Sequence, residues 1–102
     1  MELHTRKKVE IVIDAAARER VLAIIREAGA KGYTIVPRVE GQGHRGLRSG
    51  HDIFDPARNV RITTVATQAV AERILRDVLV VLEKHAGIAY LSDVQVAGAD
   101  YF

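Results

Sequence analysis

Residues 9–29 read VEIVIDAAARERVLAIIREAG and decide the fold, because the hydrophobic period changes at Asp14. Before Asp14, aliphatic residues at every second position predict a β-strand, whose side chains alternate between two faces. After it, aliphatic residues three and four positions apart predict an α-helix over residues 15–28. The carboxylate of Asp14 is placed to accept hydrogen bonds from the first helical N–H groups, and Gly29 is a natural helix end.

The same strand-to-helix order recurs later in the chain, and each helix is followed by another strand. The further predicted elements are a strand at 33–39 with Pro37 favouring a sheet edge, a strand at 60–67, a helix at 68–85 capped by Thr67 and ended by Gly87, a strand at 88–96 and a short tail at 98–102. The order β-α-β-β-α-β predicts a ferredoxin-like α+β fold, with both helices on one face of a four-stranded antiparallel sheet. We expect one domain over residues 1–102, whose other sheet face, with Val12, Thr63 and Val65, is covered by neighbouring subunits.

The composition excludes several classes of function. The 102-residue chain has no cysteine, which excludes disulfides, thiolate catalysis and zinc–thiolate sites. Its formal net charge of +2 is too small to indicate nucleic-acid binding through a concentrated basic face. No apolar run approaches the roughly 20 residues of a membrane span, and the charged start of the chain is unlike a signal peptide. We therefore expect a cytoplasmic protein that neither enters a membrane nor binds nucleic acid.

A glycine- and arginine-rich stretch lies between the second and third predicted strands. Residues 41–50 read GQGHRGLRSG, with four glycines, two arginines and no acidic residue. Glycine lets the main chain approach a ligand closely, and the planar guanidinium of arginine matches phosphate or carboxylate oxygens. The predicted loop spans residues 40–59, and loops longer than about 12–15 residues are usually functional or disordered. We expect Arg45 and Arg48 to converge on one phosphate, although the stretch is neither a dinucleotide fingerprint nor a P-loop.

Other polar residues have simpler interpretations. His44 and His51 are spaced too widely in one loop for a good metal cage, and Ser49 has no base placed by the sequence, so we predict neither a metal site nor a catalytic nucleophile. His85 is expected at the carboxyl end of the second helix, where a cation favours the helix dipole. Tyr33 and Tyr90 follow the two helices at matched positions, either as packing residues or as contacts to a nucleobase.

An enzyme of the acylphosphatase kind is the main alternative, because it also places an arginine-bearing anion loop on a ferredoxin-like frame. Its anion loop follows the first strand, however, whereas this loop follows the second. An RNA-binding sheet would need aromatic side chains on the third strand for base stacking, and residues 60–67 contain none. The preferred interpretation is a sensor without catalytic activity.

Three segments resemble the PII signalling superfamily: Gly32-Tyr33-Thr34, residues 41–46 and Ala86-Gly87-Ile88. The resemblance is nearest to the PII-like branch linked to inorganic carbon, which contains carboxysome-associated PII-like proteins and regulators of bicarbonate transporters. Residues 45–50, RGLRSG, look like the Arg-x-x-Arg-Ser motif of that branch. The resemblance implies a homotrimer that binds adenine nucleotides in clefts between subunits. It also implies signalling through the nucleotide-dependent conformation of loop 40–59.

The resemblance further implies a set of nucleotide-binding residues, which divide by the part of the ligand that they would contact. The base and sugar would lie among Gly32, Tyr33, Thr34, Gly41, Gln42, Gly43 and Val65. The phosphates would lie on Arg45 and Arg48, with Gly46 and Ser49 of the same motif. The other side of the cleft would be closed by Gly87, Ile88 and Ala89.

Departures from the family pattern narrow the ligand. Residues 85–90 replace the glycine- and lysine-rich phosphate loop of standard PII proteins, so the resemblance favours ADP, AMP or cyclic AMP over ATP and 2-oxoglutarate. Loop 40–59 has no tyrosine for the modification of standard PII proteins, and the chain lacks the cysteine pair of some bicarbonate-transporter regulators. The carboxysome-associated type is therefore favoured, with bicarbonate as a co-ligand and a bicarbonate transporter or carboxysome-related protein as the partner.

Overall fold

The computed structural model describes residues 1–41 and 58–102, which form one sheet with two helices packed on it. In chain order the elements are β1 (His4–Asp14), a 3-10 turn (Ala15–Ala17), α1 (Arg18–Ala28), β2 (Thr34–Pro37), β3 (Asn59–Ala66), α2 (Gln68–Leu82), β4 (Gly87–Val96) and a last 3-10 turn (Ala99–Tyr101). The strands are ordered β2-β3-β1-β4, and every neighbouring pair is antiparallel. The predicted ferredoxin-like α+β fold is confirmed.

The first strand and first helix differ from their predicted bounds. β1 begins at His4 because residues 4–13 pair continuously with β4, a partner that local hydrophobic period does not reveal. The helix predicted from residue 15 begins with a 3-10 turn, and its α-helical part starts at Arg18. The cap is confirmed, since the carboxylate of Asp14 accepts the N–H of Ala16 at 2.9 Å.

The second strand is shorter than predicted. β2 ends at Pro37 because Arg38 takes a left-handed backbone conformation, with φ at 55°, that takes the chain out of the extended region. The strand is at the edge of the sheet, as Pro37 predicted. Residues 42–57 of the predicted loop 40–59 lie outside the described part of the chain, and Asn59 already belongs to β3.

The second helix is also shorter than predicted. α2 ends at Leu82, so His85 lies beyond the helix, although its N–H still donates to the carbonyl of Val81 at 3.1 Å. Thr67 occupies the N-cap position, but its side chain makes no capping hydrogen bond to the described helix, which corrects the prediction of a side-chain cap. Gly87 does not end the helix; it is the first residue of β4.

The core lies between the helices and one face of the sheet. From Val9 onward the odd-numbered residues of β1 point into it, and Val9, Ile11 and Ile13 are fully buried. Register places Ile62 of β3 beside Ile11 on the same face. The helices contribute Val21, Leu22, Ile25, Ala71, Ile74, Val78 and Val81. Among the described residues the core contains no aromatic side chain, which fits a chain with only 5% aromatics.

The opposite face of the sheet carries a mixture of polar and apolar side chains. Thr63, Val65 and Val12 are half-buried there, whereas Ile88 and Tyr90 are exposed. Coverage of this face by neighbouring subunits stays a prediction. Among residues 1–41 and 58–102, no helix has the length and hydropathy to cross a membrane.

Candidate functional site

A pocket lies where the edge of the sheet is left incomplete. β2 pairs with β3 only over residues 60–63, so the last three residues of β3 have no β2 partner. Beside them is an open pocket of about 250 Å³. Its lining residues are Lys31, Gly32, Tyr33, Thr34, Thr63, Thr64, Val65, Tyr101 and Phe102. The volume is below the roughly 300–1,000 Å³ of sites that enclose a small molecule.

Four residues proposed from the sequence meet at this pocket. Gly32, Tyr33 and Thr34 come from the segment before β2 and its first residue, and Val65 comes from β3. Thr64 links the two elements, since its buried hydroxyl donates to the carbonyl of Gly32 at 2.6 Å. This hydrogen bond holds the segment before β2 against the edge of β3.

A sharp turn at the end of α1 directs the chain toward the pocket. Gly29 is left-handed, with φ at 96°, and its N–H donates to the carbonyl of Arg26 while that of Ala30 donates to Ile25. This pair of bonds is a Schellman motif, which ends a helix and turns the chain sharply. The helix end predicted at Gly29 is confirmed.

Tyr33 is held from the helix side. A guanidinium nitrogen of Arg26 donates to the Tyr33 hydroxyl at 3.2 Å, and the guanidinium carbon lies 5.8 Å from the ring centroid. The ring is half-exposed and lines the pocket. Of the two matched tyrosines, Tyr33 lines this pocket, whereas Tyr90 is not among the described residues that line it.

Tyr90 instead belongs to a polar cluster on the open face of the sheet. Its hydroxyl donates to the carboxylate of Glu10, and the ammonium of Lys8 lies 3.2 Å from the same carboxylate. The hydrogen bond from Tyr90, followed by that from Lys8, holds the pKa of Glu10 below its ordinary value. The same bond to Glu10 raises the pKa of Tyr90. The hydrogen bond thus favours an ionised Glu10 carboxylate and a protonated Tyr90 hydroxyl.

Segment 98–102 brings two residues to the pocket that the sequence did not indicate. Gly98 is left-handed, and the N–H groups of Tyr101 and Phe102 donate to the carbonyls of Gly98 and Ala99 at 3.0 and 3.1 Å. The ammonium of Lys31 donates to the carbonyl of Asp100 at 2.8 Å. Sequence reasoning missed Lys31, Thr63, Thr64, Tyr101 and Phe102; the adjacent aromatics, in a chain with few of them, were the available signal.

Gly87, Ile88 and Ala89 do not line this pocket. They begin β4 opposite Ile13, Val12 and Ile11 of β1. A Cβ at Gly87 would lie 2.5 Å from the main-chain oxygen of Val12, so close strand packing already requires glycine at position 87. One chain therefore does not bring these residues to Gly32, and their role in closing a nucleotide site stays a prediction.

The remaining predicted residues lie at or beyond the limit of the described structure. Gly41 is the last described residue before the gap and is exposed. The loop residues Gln42, Gly43, Arg45, Gly46, Arg48 and Ser49 lie outside the described residues, as do His44 and His51. Within residues 1–41 and 58–102, no three His, Cys, Asp or Glu side chains cluster as a metal site would require.

Comparison with known proteins gives matches along nearly the whole chain. The family described as Nitrogen regulatory protein P-II matches residues 6–101. CPII, a nitrogen regulatory PII-like protein from Thiomonas intermedia K12 solved with ADP, AMP and bicarbonate, is 29% identical, with a TM-score of 0.85 over 99% of this chain and 96% of that one. A second CPII structure, with ADP, AMP and acetate, aligns with 26% sequence identity and a TM-score of 0.82. This alignment covers 100% of this chain and 98% of that one. A putative PII-like signalling protein from Thermus thermophilus is 34% identical, with a TM-score of 0.80 over 100% and 99%.

Proposed function

Since this chain belongs to the P-II family of nitrogen regulatory proteins, we propose that it is a non-enzymatic regulator that binds ADP or AMP and reports inorganic-carbon status. The observation that carries the proposal is the pocket at the edge of β3. There Gly32, Tyr33, Thr34 and Val65 meet within one chain, and the CPII structures are of a relative bound to ADP and AMP.

The pocket offers the groups that a nucleobase needs. The edge of β3 beyond Thr63 presents main-chain groups that β2 does not pair, and such groups are suited to hydrogen bonds with the edge of a base. A Cβ added at Gly32 would meet no atom of the described residues within 4 Å, so that side of the pocket has room for a ligand. Tyr33 adds an aromatic surface beside it.

The rest of the site is supplied by loop 40–59 and by a second subunit. Arg45 and Arg48 would bind the phosphates through charge-assisted hydrogen bonds. Gly87, Ile88 and Ala89 of a neighbouring subunit would close the cleft in a homotrimer. The partly apolar open face of the sheet, with exposed Ile88 and Tyr90, supports such an assembly.

Nucleotide binding would act by population shift. The loop conformation that places both arginines on a phosphate gains contacts only when the nucleotide is bound, so the ligand favours that conformation. Bicarbonate is proposed as a co-ligand because CPII was solved with bicarbonate beside ADP and AMP. The downstream partner is proposed to be a bicarbonate transporter or a carboxysome-related protein, and the protein is proposed to act in the cytoplasm.

The acylphosphatase-type alternative has less support. It needs an anion-binding loop directly after the first strand, and here β1 passes into α1 through three alanines, Ala15–Ala17. These residues carry no polar side chain to bind a phosphate.

Binding measurements with Arg45→Ala and Arg48→Ala test the proposal. Each variant should bind ADP at least tenfold more weakly than the wild type, a loss of about 1.4 kcal/mol, because a charge-assisted hydrogen bond contributes about that much. Adenosine, which has no phosphate, should bind both variants and the wild type equally. Equal losses for ADP and adenosine would show that the arginines do not bind phosphate, and hydrolysis of an acyl phosphate by the wild type would revive the enzyme alternative.

A further inference from the structure

The guanidinium of Arg26, an exposed residue in the last turn of α1, has an aromatic partner. One of its nitrogens donates to the Tyr33 hydroxyl at 3.2 Å, and its carbon lies over the Tyr33 ring, 5.8 Å from the centroid. This distance is within the roughly 6 Å of cation–π pairs. None of the ion pairs among residues 1–41 and 58–102 includes Arg26. Within the described chain, its positive charge is therefore matched by a residue of the candidate pocket.

The main chain between Arg26 and Tyr33 is held on both sides. At the helix end, the carbonyl of Arg26 accepts the N–H of left-handed Gly29, which turns the chain out of α1. At the sheet, the hydroxyl of Thr64 donates to the carbonyl of Gly32, directly before Tyr33. The ring therefore starts from an anchored segment, and the guanidinium ties it back to the end of the helix.

The Tyr33 ring nevertheless keeps an open surface. It is 40% exposed and lines the pocket. A ring with a guanidinium over one face can present its other face to a planar ligand. A side chain that must be ordered by the ligand lowers the affinity, whereas one that is already held does not. The contact with Arg26 thus prepares Tyr33 for a ligand before that ligand arrives.

We propose that Arg26 is a positioning residue for nucleotide binding, which holds the Tyr33 ring ready to pack against the adenine. Its guanidinium contacts neither the base nor the phosphate. The inference rests on the proposed function, because it requires the base of the nucleotide to lie in this pocket. It adds a residue of α1 that is not among the lining residues and acts on the ligand through Tyr33.

A positioning role differs from direct phosphate binding in what its loss does. Because Arg26 acts through the surface that meets the base, its removal should weaken adenosine and AMP by the same factor. Arg45 and Arg48, which are proposed to bind phosphate, should show the opposite pattern, with adenosine unaffected. The effect of Arg26 should also disappear when the Tyr33 ring is absent, since the two residues then act as one unit.

Calorimetric titration with adenosine and AMP compares the wild type with Arg26→Ala, Tyr33→Leu, the double variant and Arg20→Ala. Arg20 is the matched control, because it is an exposed arginine nearer the start of the same helix and its loss changes the net charge equally. Arg26→Ala should weaken both ligands by about 2- to 12-fold, the range expected when one side chain must be ordered on binding. Tyr33→Leu should weaken both at least as much, and the double variant should show no further loss. Arg20→Ala should bind both ligands like the wild type.

Several results would overturn the proposal while leaving nucleotide sensing intact. One is wild-type AMP affinity in Arg26→Ala. Another is a loss for AMP without a loss for adenosine, which would mean that the guanidinium binds the phosphate directly. A loss from Arg26→Ala that is as large without the Tyr33 ring as with it, or that Arg20→Ala reproduces, would leave no positioning role. A wild-type protein that binds no nucleotide would overturn both this proposal and the proposed function.

Discussion

Replacement of Gly87 by alanine should destabilise the protein, whereas the same replacement at Gly32 should not. A Cβ at position 87 would lie 2.5 Å from the main-chain oxygen of Val12 and 3.0 Å from side-chain atoms of Ile13 and Leu82. The Val12 oxygen has little freedom to move, because Val12 is paired with β3 on one side and β4 on the other. Relief of the clash therefore requires β4 to shift relative to β1.

The expected size of the effect follows from the type of contact. Overpacking usually costs about 1–3 kcal/mol, and a clash with main chain places Gly87→Ala in the upper part of that range, about 2–3 kcal/mol. For a domain of this size each kcal/mol lowers Tm by about 4–8 °C, so the expected fall is about 8–24 °C. The added methyl of Gly32→Ala meets no atom of the described residues within 4 Å, so this variant should change the unfolding free energy by no more than about 0.5 kcal/mol.

The assay is thermal unfolding followed by far-ultraviolet circular dichroism for the wild type and both variants. All samples need the same chain concentration, because the Tm of an oligomer depends on concentration. Gly32→Ala should also weaken ADP binding despite its normal Tm, since it narrows the pocket. A Gly87→Ala protein that melts within about 2 °C of the wild type would refute the packing argument, as would an equal fall for Gly32→Ala.

Three smaller perturbations test other contacts. Thr64→Val removes the hydroxyl that holds Gly32 and should lower the unfolding free energy by about 1 kcal/mol in urea titrations. Thr64→Ser keeps a hydroxyl and should recover most of that loss. An unchanged unfolding free energy in Thr64→Val would show that the bond does not stabilise the fold. Asp14→Ala removes the cap of the first helical turn and should lower the unfolding free energy by about 1 kcal/mol, whereas Asp14→Asn should retain most of the stability. Equal losses in the two variants would contradict a capping role. Tyr90→Phe removes the donor that lowers the pKa of Glu10, so the wild type should be the more stable protein above pH 4.5, and the difference should shrink as pH falls through the lowered pKa of Glu10. Because the same bond raises the pKa of Tyr90, that advantage should also decline as pH rises through the raised value, above 10.0; a difference that does not vary with pH would refute the linkage.

The elements with a strong local pattern were predictable from sequence, and their ends were less so. The aliphatic alternation over residues 9–13 predicts a strand, and the aliphatic spacing of α1 predicts a helix. In both elements the side chains that set the pattern are buried in the structure. The start of β1 at His4 depends on pairing with β4, more than 80 residues away in sequence. The early end of β2 depends on the backbone conformation of Arg38, which its sequence neighbours do not specify.

Part of the residue set implied by family resemblance lies together in the folded chain. Resemblance placed Gly32, Tyr33, Thr34 and Val65 in one site, and these four residues do meet. It did not indicate Tyr101, whose neighbour Asp100 accepts a hydrogen bond from Lys31, 69 residues away in sequence. Contacts of this kind depend on the folded chain as a whole and leave no local pattern.

Calorimetric titration of the wild-type protein with AMP and ADP, each with and without bicarbonate, tests the central claim most directly. We expect micromolar binding of one nucleotide for each chain, with an affinity that changes when bicarbonate is present. Absence of binding by either nucleotide up to millimolar concentration, in both conditions, would contradict it.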